Sequence, residues 1–582
     1  MSDCTWRIPY GVADFVKLRR GHEYYVDKTH FLPILEAAGR FLFLIRPRRF
    51  GKSLLQSVME CYYDQRWEPH FDELFHDTWI YSHPAPEKHR YLVLRFDFSM
   101  VNPDSRYLEQ SFEDYIRITL WAFVQRYEAC LPLALGREIL AETNSATRLS
   151  RLFQEMERLS LPLYLFIDEY DNFANTLLVS EGQQRYQILT HGGGFFRYFF
   201  ALFKGATGQT GGGLSRLFIT GVSPITMDDV TSGFNIGLNI SLDADFNALL
   251  GFTEAEMVTL FGVFGQDYPR YRPILRPWYD QYRFAFDAGD YITNSDMALY
   301  FLQHLHRHGK PPRDLIDHNV RIDYGKLRHL IQLGRRLNGN FERLRQVIET
   351  GEAVAEVLPS FPVESMAEEA PFVSLLYYLG LLTFAGEREG RPLLVVPNET
   401  IRQLMYGYLR EAYKAVEIFA PRVWKLEDLL NRLAYRGEWL PFFDYLAEQI
   451  NEQTGIRDYL QGERMIQGFL LAYLNLSPYY LTHSEREMGK GFVDLFLEPF
   501  YVRYPDMRHA YLIELKYLTR GEDSPKQRQS AIAEAEAQLC QYREDARVRE
   551  ALGLATLHAL VLVYSGWELV YRAEVPDDTS LG

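Results

Sequence analysis

The stretch RFLFLIRPRRFGKSLL, residues 40–55, joins the patterns that decide the fold of the N-terminal part of the chain. RFLFLI is a short continuous apolar run, which is typical of a buried parallel strand. From Lys52 onward, apolar residues recur at the spacing of a helix. Gly51, Lys52 and Ser53 stand at the junction, so we predict a strand that passes through a glycine-lysine-serine turn into a helix.

A turn of this kind binds phosphate because successive backbone N–H groups point at the ligand from a helix N-terminus. Gly51 allows close approach of the backbone, Lys52 supplies positive charge, and Ser53 would bind Mg²⁺. Arg46 replaces the first glycine of the pattern G-x-x-x-x-G-K-[ST], a loss that another loop conformation can accommodate. The arginines of the loop either add phosphate contacts or are simply solvated. The candidate nucleotide-binding residues of this loop are Arg46, Arg48, Arg49, Phe50, Gly51, Lys52, Ser53 and Leu54.

A second half of the expected site lies in LYLFIDEYDNF, residues 163–173, where an apolar strand ends in two carboxylates. In this Walker B pattern Asp168 would bind Mg²⁺ together with Ser53, and Glu169 would polarise the attacking water. The alternative is an acidic strand end that caps a helix. That alternative explains one carboxylate, but not two of them downstream of a phosphate-binding turn.

Other apolar runs predict strands at residues 91–99, 161–170 and 215–223. Each run is preceded by enough chain for a helix, and this alternation indicates a doubly wound parallel α/β sheet with ligands at the strands' carboxyl ends. The last run ends near Thr220 and Ser223, two hydroxyls between which the sequence does not decide as a sensor of the γ-phosphate. We take Thr220 as the candidate, and predict a P-loop NTPase domain over residues 1–255.

The remainder of the chain changes character twice. Residues 256–455 are mostly helical in pattern, and residues 371–409 have the order helix, strand, glycine-bearing turn, strand, helix. This order suits a winged-helix-like unit, although an element that packs two domains together is favoured over one that contacts DNA. Residues 456–582 return to a mixed α/β pattern with the order helix, strand, strand, helix, strand.

Composition excludes several classes of protein. The chain has 582 residues, 47% hydrophobic and 24% charged, which is ordinary for a globular protein of several domains. A net charge of −15 weighs against bulk nucleic-acid binding, although a local basic groove is compatible with it. The four cysteines are too far apart to suggest a zinc site or a disulfide framework. With no evident signal peptide and no apolar run of membrane-spanning length, we expect a cytoplasmic protein without a membrane partner.

A second constellation of charges lies on the predicted strands GFVDLFLEP (491–499) and AYLIELKY (510–517). Strand alternation places Glu514 and Lys516 on one face, and Asp494 interrupts the neighbouring apolar strand. Two carboxylates on adjacent strands can bind Mg²⁺ or Mn²⁺, and a nearby lysine can orient water for attack on phosphorus. Glu463, on the preceding helix, is a further candidate carboxylate. The alternative is a solvated face, which does not explain charges within otherwise apolar strands.

The motifs YYVDKTHFL, RPRRFGKSLL, LRFDFS, FIDEYDNF, ITGVSP and LLGFTEAE together resemble the bacterial AAA-ATPase-like family. That family pairs an ATPase with a C-terminal PD-(D/E)XK nuclease-like domain of the restriction-endonuclease type. The resemblance implies that an arginine at Arg46 is usual in this loop. Gln538 and Tyr542 are similar to a Q-x-x-x-Y motif of one nuclease branch, where these residues support the site and its substrate.

The resemblance implies an ATP-binding, Mg²⁺- or Mn²⁺-dependent deoxyribonuclease whose cutting is gated by the nucleotide, in defence against foreign DNA. It also implies a homo-oligomer or an unidentified trigger protein. One alternative is an ATP-dependent switch or scaffold whose nuclease-like domain only binds nucleic acid or a protein. A DNA motor without its own nuclease would need arginine-finger and helicase motifs, which we do not find in the sequence.

Overall fold

The computed structural model describes residues 6–206, 213–225, 237–323, 339–415, 423–452, 462–488 and 491–576. The chain folds into two units, Met1–Leu330 with Glu352–Ile401, and Ile331–Gly351 with Arg402–Gly582. The predicted helical middle is therefore divided between the two units. None of the described helices is long and apolar enough to span a membrane.

A five-stranded parallel sheet forms the centre of the first unit. Its strands are β1 (Phe41–Ile45), β2 (Leu92–Asp97), β3 (Leu163–Asp168), β4 (Arg216–Gly221) and β5 (Leu238–Asn239). They lie in the order β2-β3-β4-β1-β5, and every neighbouring pair is parallel. All residues of β3 and β4 are buried, which is why these strands are continuous apolar runs in the sequence. The expected parallel α/β fold is confirmed.

Helices connect these strands and continue after the sheet. Those up to β4 are α1 (Phe15–Arg20), α2 (Leu32–Ala38), α3 (Lys52–Tyr63), α4 (Phe71–Phe75), α5 (Trp79–Ser82), α6 (Leu108–Arg126), α7 (Leu133–Ala141), α8 (Ser145–Arg158), α9 (Asn172–Glu181), α10 (Gln183–Thr190) and α11 (Phe195–Ala206). Those after β5 are α12 (Glu254–Val263), α13 (Tyr268–Tyr279), α14 (Ser295–His308) and α15 (His318–Asp323). Helix α3, which begins at Lys52, packs on β2 and β3 of the sheet.

A small antiparallel sheet also belongs to the first unit. It consists of β6 (Glu352–Val354), β7 (Thr383–Arg388) and β8 (Arg391–Val395), in the order β6-β8-β7. Glu389 and Gly390 join β7 to β8 with positive φ angles of 54° and 76°, the conformation of a tight two-residue hairpin. The helix α17 (Glu369–Tyr378) precedes this hairpin and α18 (Glu399–Ala415) follows it, in the order predicted for residues 371–409.

The second unit has a mixed five-stranded sheet. Its strands are β9 (Tyr480–Met488), β10 (Gly491–Pro499), β11 (His509–Leu518), β12 (Thr556–Ser565) and β13 (Glu568–Glu574). The order is β13-β12-β11-β10-β9, with β11 and β12 parallel and the other neighbours antiparallel. Its helices are α16 (Gly339–Thr350), α19 (Val423–Arg436), α20 (Trp439–Glu452), α21 (Glu463–Leu474), α22 (Pro525–Arg543) and α23 (Ala546–Leu552).

Helices α22 and α16 of this unit are held against neighbouring elements by packing and by hydrogen bonds. Helix α22 is capped by Ser524, whose hydroxyl accepts a hydrogen bond from the N–H of Gln527, and its apolar residues pack on β11 and β12. Helix α16 comes from the middle of the sequence. Arg345 on it donates to the carbonyl of Arg464 at 3.2 Å, and Ser484 on β9 donates to the carbonyl of Glu349 at 2.9 Å.

Candidate functional site

The turn between β1 and α3 has the conformation that its glycine permits. Gly51 has a φ of 98°, in the left-handed region that side chains disfavour, although a Cβ at this position would meet no atom within 4 Å. The requirement for glycine is therefore one of backbone conformation and not of space. Lys52 begins α3, and its Nζ donates to the carbonyls of Arg46 and Pro47 at 3.0 and 2.9 Å.

A cavity of about 390 Å³ lies against this turn. It is lined by the predicted residues Arg48, Arg49, Phe50, Gly51, Lys52, Ser53, Leu54 and Glu169. It is also lined by apolar and aromatic residues that were not among the predicted site residues, including Pro9, Val12, Tyr24, Leu250 and Phe252. The cavity therefore combines a helix N-terminus and basic side chains with an apolar surface.

Arg46 does not line this cavity, unlike most of the predicted loop residues. Its guanidinium, 1% exposed, donates to the carbonyls of Ile45, Ser241 and Phe246 and lies 4.4 Å from the centre of the Phe284 ring. Burial lowers the pKa of Arg46 to about 10. Nη1 and Nη2 of Arg46 thus donate to the chain's own carbonyls, and its guanidinium packs on Phe284 instead of lining the cavity where its phosphate contacts were predicted.

Two other loop residues are held by the surrounding structure. The ring of Phe50 is 2% exposed and meets the rings of Tyr282 and Phe284 edge-on, with centroids 4.9 and 5.2 Å apart. Arg49 donates to the carboxylate of Asp296 at 3.2 Å. These contacts hold the side chains of Phe50 and Arg49 in place.

Asp168 is surrounded by donors at the carboxyl end of β3. Its Oδ1 accepts from the hydroxyl of Thr220 at 2.6 Å and from the N–H of Glu169 at 3.1 Å, and its Oδ2 accepts from Arg95 at 3.3 Å. Of the two hydroxyls considered from the sequence, Thr220 is therefore the one that contacts Asp168. The side chain of Gln56 in turn donates to the Thr220 hydroxyl at 2.9 Å.

Sequence reasoning missed Gln56 and Arg95. Gln56 lies one helical turn after Lys52, and Arg95 is a charge within the apolar strand β2, so each had a visible signal in being polar on a buried face. The hydroxyl of Ser223 accepts from the N–H of Ile225 at 3.4 Å, and the backbone N–H of Ser223 donates to Asp171 Oδ2 at 2.7 Å.

The charges at the cavity perturb one another. Burial lowers the pKa of Lys52 to about 8, and the carboxylates of Asp168 and Glu169 act in the opposite direction. Burial raises the pKa of Glu169, which Arg48 and Lys52 partly offset. A bound polyphosphate would replace the missing hydration of Lys52 with negative charge, so the residues present fit a nucleotide.

The second predicted constellation lies between β10 and β11. Leu495 pairs with Ile513 in this antiparallel ladder, and the register continued by one residue places Asp494 opposite Glu514. The Oδ2 atom of Asp494 accepts a hydrogen bond from the N–H of Leu515 at 2.7 Å. The strand ladder thus brings together the two carboxylates that were predicted from separate motifs.

Lys516 lies among several carboxylates. Its Nζ is 3.5 Å from Glu514 Oε1 and 3.4 Å from Oε1 of Glu534, a residue on α22 that sequence reasoning missed. Burial raises the pKa of Glu463, at the start of α21, and the charge of Lys516 lowers it. One turn further along α21, Gln467 donates to the backbone carbonyl of Asp494 at 2.9 Å.

Helix α22 faces this group with residues four apart, Glu534, Gln538 and Tyr542. Tyr542 is 3% exposed, and its pKa is raised by burial and then by the charges of Glu514 and Asp494. The Oε1 atom of Gln538 is buried and has no hydrogen-bond partner among the described residues. The predicted Q-x-x-x-Y pair therefore lies next to the predicted carboxylates.

The donor set fits a hydrated divalent cation. Glu514 is 2% exposed and its Oε2 atom, like Gln538 Oε1, is a buried acceptor for which the described residues supply no donor. Burial, followed by the charge of Asp494, raises the pKa of Glu514 to about 8. Within the described ranges no three His, Cys, Asp or Glu side chains form a metal-ligating group. Two carboxylates, with water in the remaining positions, are a usual donor set for Mg²⁺.

Two segments of the chain match known protein families. Residues 9–231 match the family described as Predicted AAA-ATPase, and residues 461–574 match the PD-(D/E)XK nuclease superfamily. The chain thus carries a predicted AAA-ATPase segment and a PD-(D/E)XK nuclease superfamily domain, in the order that the sequence motifs predicted.

One sequence relative and two solved structures are similar to parts of this chain. An uncharacterized protein from the vnfD 5′ region of Azotobacter chroococcum mcd 1 is 29% identical over 303 residues, which are 51% of this chain and 52% of that protein. This chain thus spans about half the length of that curated relative. Cdc6p from Pyrobaculum aerophilum aligns at 11% identity and a TM-score of 0.22, over 72% of this chain and 98% of that one. Orc1 from Aeropyrum pernix, solved in complex with DNA, aligns at 12% identity and a TM-score of 0.22, over 69% of this chain and 94% of that one.

Proposed function

We propose that the chain is an ATP-binding, metal-dependent nuclease that acts on DNA, with nucleotide state controlling cutting. The observation that carries the proposal is the convergence of Asp494, Glu514 and Lys516 in a domain that matches the nuclease superfamily. A domain that had lost catalysis would have no need to keep a buried carboxylate with an unpartnered oxygen beside a lysine.

At the nucleotide site, each loop residue has a task that its position supports. The backbone at Gly51 and the first turn of α3 would receive the phosphates, and Lys52 would leave the carbonyls of Arg46 and Pro47 to neutralise them. The apolar and aromatic residues that line the cavity, such as Tyr24, are suited to the base. We propose that Ser53 and Asp168 hold Mg²⁺, that Glu169 orients water and that Thr220 fixes Asp168.

At the nuclease site, Asp494 and Glu514 would hold Mg²⁺ or Mn²⁺, a cation that stabilises charge on a phosphate and lowers the pKa of bound water. Lys516 is placed to orient water and to offset negative charge as the phosphodiester is attacked. Glu463 adds a carboxylate close to Lys516, and Gln538 and Tyr542 support the substrate side. The excess of carboxylates at this site repels DNA without a cation, which makes cutting depend on metal.

The wider role follows from the pairing of the two domains. A nuclease held in check by a nucleotide avoids damage to its own genome, so we propose a cytoplasmic protein that acts in defence against foreign DNA. We further propose that self-association or a second protein supplies the trigger. The second candidate, a switch whose nuclease-like domain only binds nucleic acid or protein, makes the opposite prediction about cutting.

The test is cleavage of linear and supercoiled DNA in Mg²⁺ or Mn²⁺, with ATP and without it. Lys516→Ala removes the proposed catalytic lysine, and Lys526→Ala, on the exposed start of α22, removes an equal charge outside the site. We expect metal-dependent cutting by the native protein and by Lys526→Ala, and none by Lys516→Ala. Absence of cutting under every nucleotide and metal condition would reject the nuclease and favour the switch.

A further inference from the structure

Arg95 connects the proposed nucleotide site to a second group of charges. It lies on β2, beside β3, where Arg95 pairs with Phe166 and Asp97 pairs with Asp168. Its Nη2 donates to Asp168 Oδ2 at 3.3 Å. The other oxygen, Oδ1, already accepts from Thr220 and from the N–H of Glu169. A cation that approached Asp168 through Oδ2 would therefore meet the guanidinium of Arg95.

The carboxylate of Glu60 lies near the other terminal nitrogen of this guanidinium. Nη1 of Arg95 is 3.9 Å from Oε2 of Glu60, on the same face of α3 as Lys52 and Gln56. Glu60 also faces Arg66 at 3.6 Å and Arg126 at 3.9 Å. All three distances exceed a normal hydrogen bond, so Glu60 can still gain a close partner.

Space for a movement of Arg95 is present. A cavity of about 350 Å³ is lined by Glu60, Arg95, Asp97, Tyr115 and Arg126, among others. Burial raises the pKa of Glu60, and Arg95, Arg126 and then Arg66 lower it. A closer approach by one arginine would stabilise this carboxylate further, which lowers the cost of breaking the bond to Asp168.

We propose that Arg95 is a positioning residue that holds Asp168 while the nucleotide site lacks a divalent cation and transfers to Glu60 when the cation binds. The inference rests on the proposed nucleotide site. Its physical basis is that a guanidinium and a divalent cation repel each other and compete for one buried carboxylate oxygen. Glu60 supplies the alternative partner that keeps Arg95 compensated after the exchange.

The test measures how much Mg²⁺ improves nucleotide binding, with a fluorescent ATP analogue titrated into the full chain in EDTA and in MgCl₂. We expect Arg95→Met to increase the Mg²⁺-dependent gain about tenfold, because the competitor for Asp168 is removed. Glu60→Gln is expected to reduce the gain, because Arg95 then loses its alternative partner. Arg117→Met, which removes an arginine of α6 whose ion pair is with Asp114, is the matched control and should leave the gain within twofold of the native value.

The outcomes separate this inference from the proposed function. Failure of the native chain to bind the analogue under either condition would reject the nucleotide site itself. Native binding with an unchanged gain in Arg95→Met, or a gain that shifts in the same direction in Arg95→Met and Glu60→Gln, would overturn the role of Arg95. If Arg95→Met does not fold, the reduced gain in Glu60→Gln decides, since an unchanged gain there also overturns the proposal.

Discussion

Asp494 accepts a hydrogen bond from the backbone N–H of Leu515 at 2.7 Å, so the carboxylate proposed to bind metal also ties β10 to β11. Loss of the Asp494 carboxylate should abolish metal binding and, where no acceptor remains, also weaken the link between the two strands. Two substitutions separate these effects. Asp494→Asn keeps an acceptor for Leu515 and should abolish cutting with little change in stability. Asp494→Ala removes the acceptor as well, and should lower the free energy of unfolding by about 1–3 kcal/mol. Denaturant unfolding and DNA cleavage of both variants check this, and equal stability losses would contradict it.

Binding of a divalent cation at the nuclease site should strengthen as pH rises toward 8. The pKa of Glu514 is raised from 4.5 to about 8, so the carboxyl is mostly protonated at neutral pH and must lose its proton to bind metal. We expect Mn²⁺ affinity, measured by calorimetry, to increase by up to about tenfold per pH unit below pH 8 and then to level off. Glu514→Gln should bind Mn²⁺ weakly, and its affinity should depend little on pH. Equal affinities of the native protein for Mn²⁺ at pH 6 and pH 8.5 would reject Glu514 as the titrating metal ligand.

The same raised pKa has a consequence for stability without metal. A carboxyl whose pKa is higher in the folded protein than its ordinary value favours folding below that ordinary value and loses this contribution as pH rises to the folded pKa. Metal-free protein should therefore lose stability between about pH 4.5 and 8 through Glu514, and regain it on addition of Mn²⁺. Thermal unfolding of the native chain and of Glu514→Gln across this range measures the difference, which should be smaller in the variant.

Nucleotide binding should take up a proton near pH 8. Burial holds the pKa of Lys52 at about 8, and phosphate groups at its Nζ would raise it again. Affinity for ATP should therefore fall as pH rises above 8, with net proton uptake visible by calorimetry in buffers of different ionisation enthalpy. Lys52→Arg keeps its charge at every such pH and should lose the dependence. Proton release by the native chain would show that another group dominates.

Replacing Arg46 by the glycine of the general pattern G-x-x-x-x-G-K-[ST] should destabilise the protein. Arg46→Gly removes the guanidinium that donates to the carbonyls of Ser241 and Phe246 and that packs on Phe284, so we expect the free energy of unfolding to fall by about 3 kcal/mol or more. Arg40→Gly makes the same chemical change at an exposed position just before β1 and serves as the control. Unfolding curves that coincide for the two variants would show that the buried contacts of Arg46 are energetically unimportant.

The sequence was most informative where burial is continuous. The residues of β3 and β4 are buried throughout, so a plain apolar run located each strand within two residues. Strand β9, with the sequence YLTHSEREM, is polar along much of its length and was not anticipated, nor was the two-residue β5. Their pairing is decided by neighbouring strands, which the local sequence does not display.

The candidate site was predictable in its chemistry and not in its arrangement. Motif residues such as Lys52 and Glu514 could be chosen because phosphate and metal binding require those groups at those positions. The hydrogen bond of Arg46 to the Phe246 carbonyl joins residues 200 positions apart, and that of Arg95 to Asp168 joins residues 73 positions apart on two strands. Such contacts arise only when the sheet is assembled, so a single sequence cannot specify them.

The helix α16 precedes the β7–β8 hairpin in the sequence, yet it belongs to the C-terminal unit and the hairpin belongs to the N-terminal unit. Because Ile331–Gly351 belongs with the C-terminal sheet while Glu352–Ile401 belongs with the N-terminal one, the polypeptide crosses from one unit to the other three times. Cleavage of a single peptide bond therefore cannot separate two complete units, wherever it falls. During synthesis α16 is also made well before its partners Arg464 and β9, so it can pack only after the final third of the chain has been made.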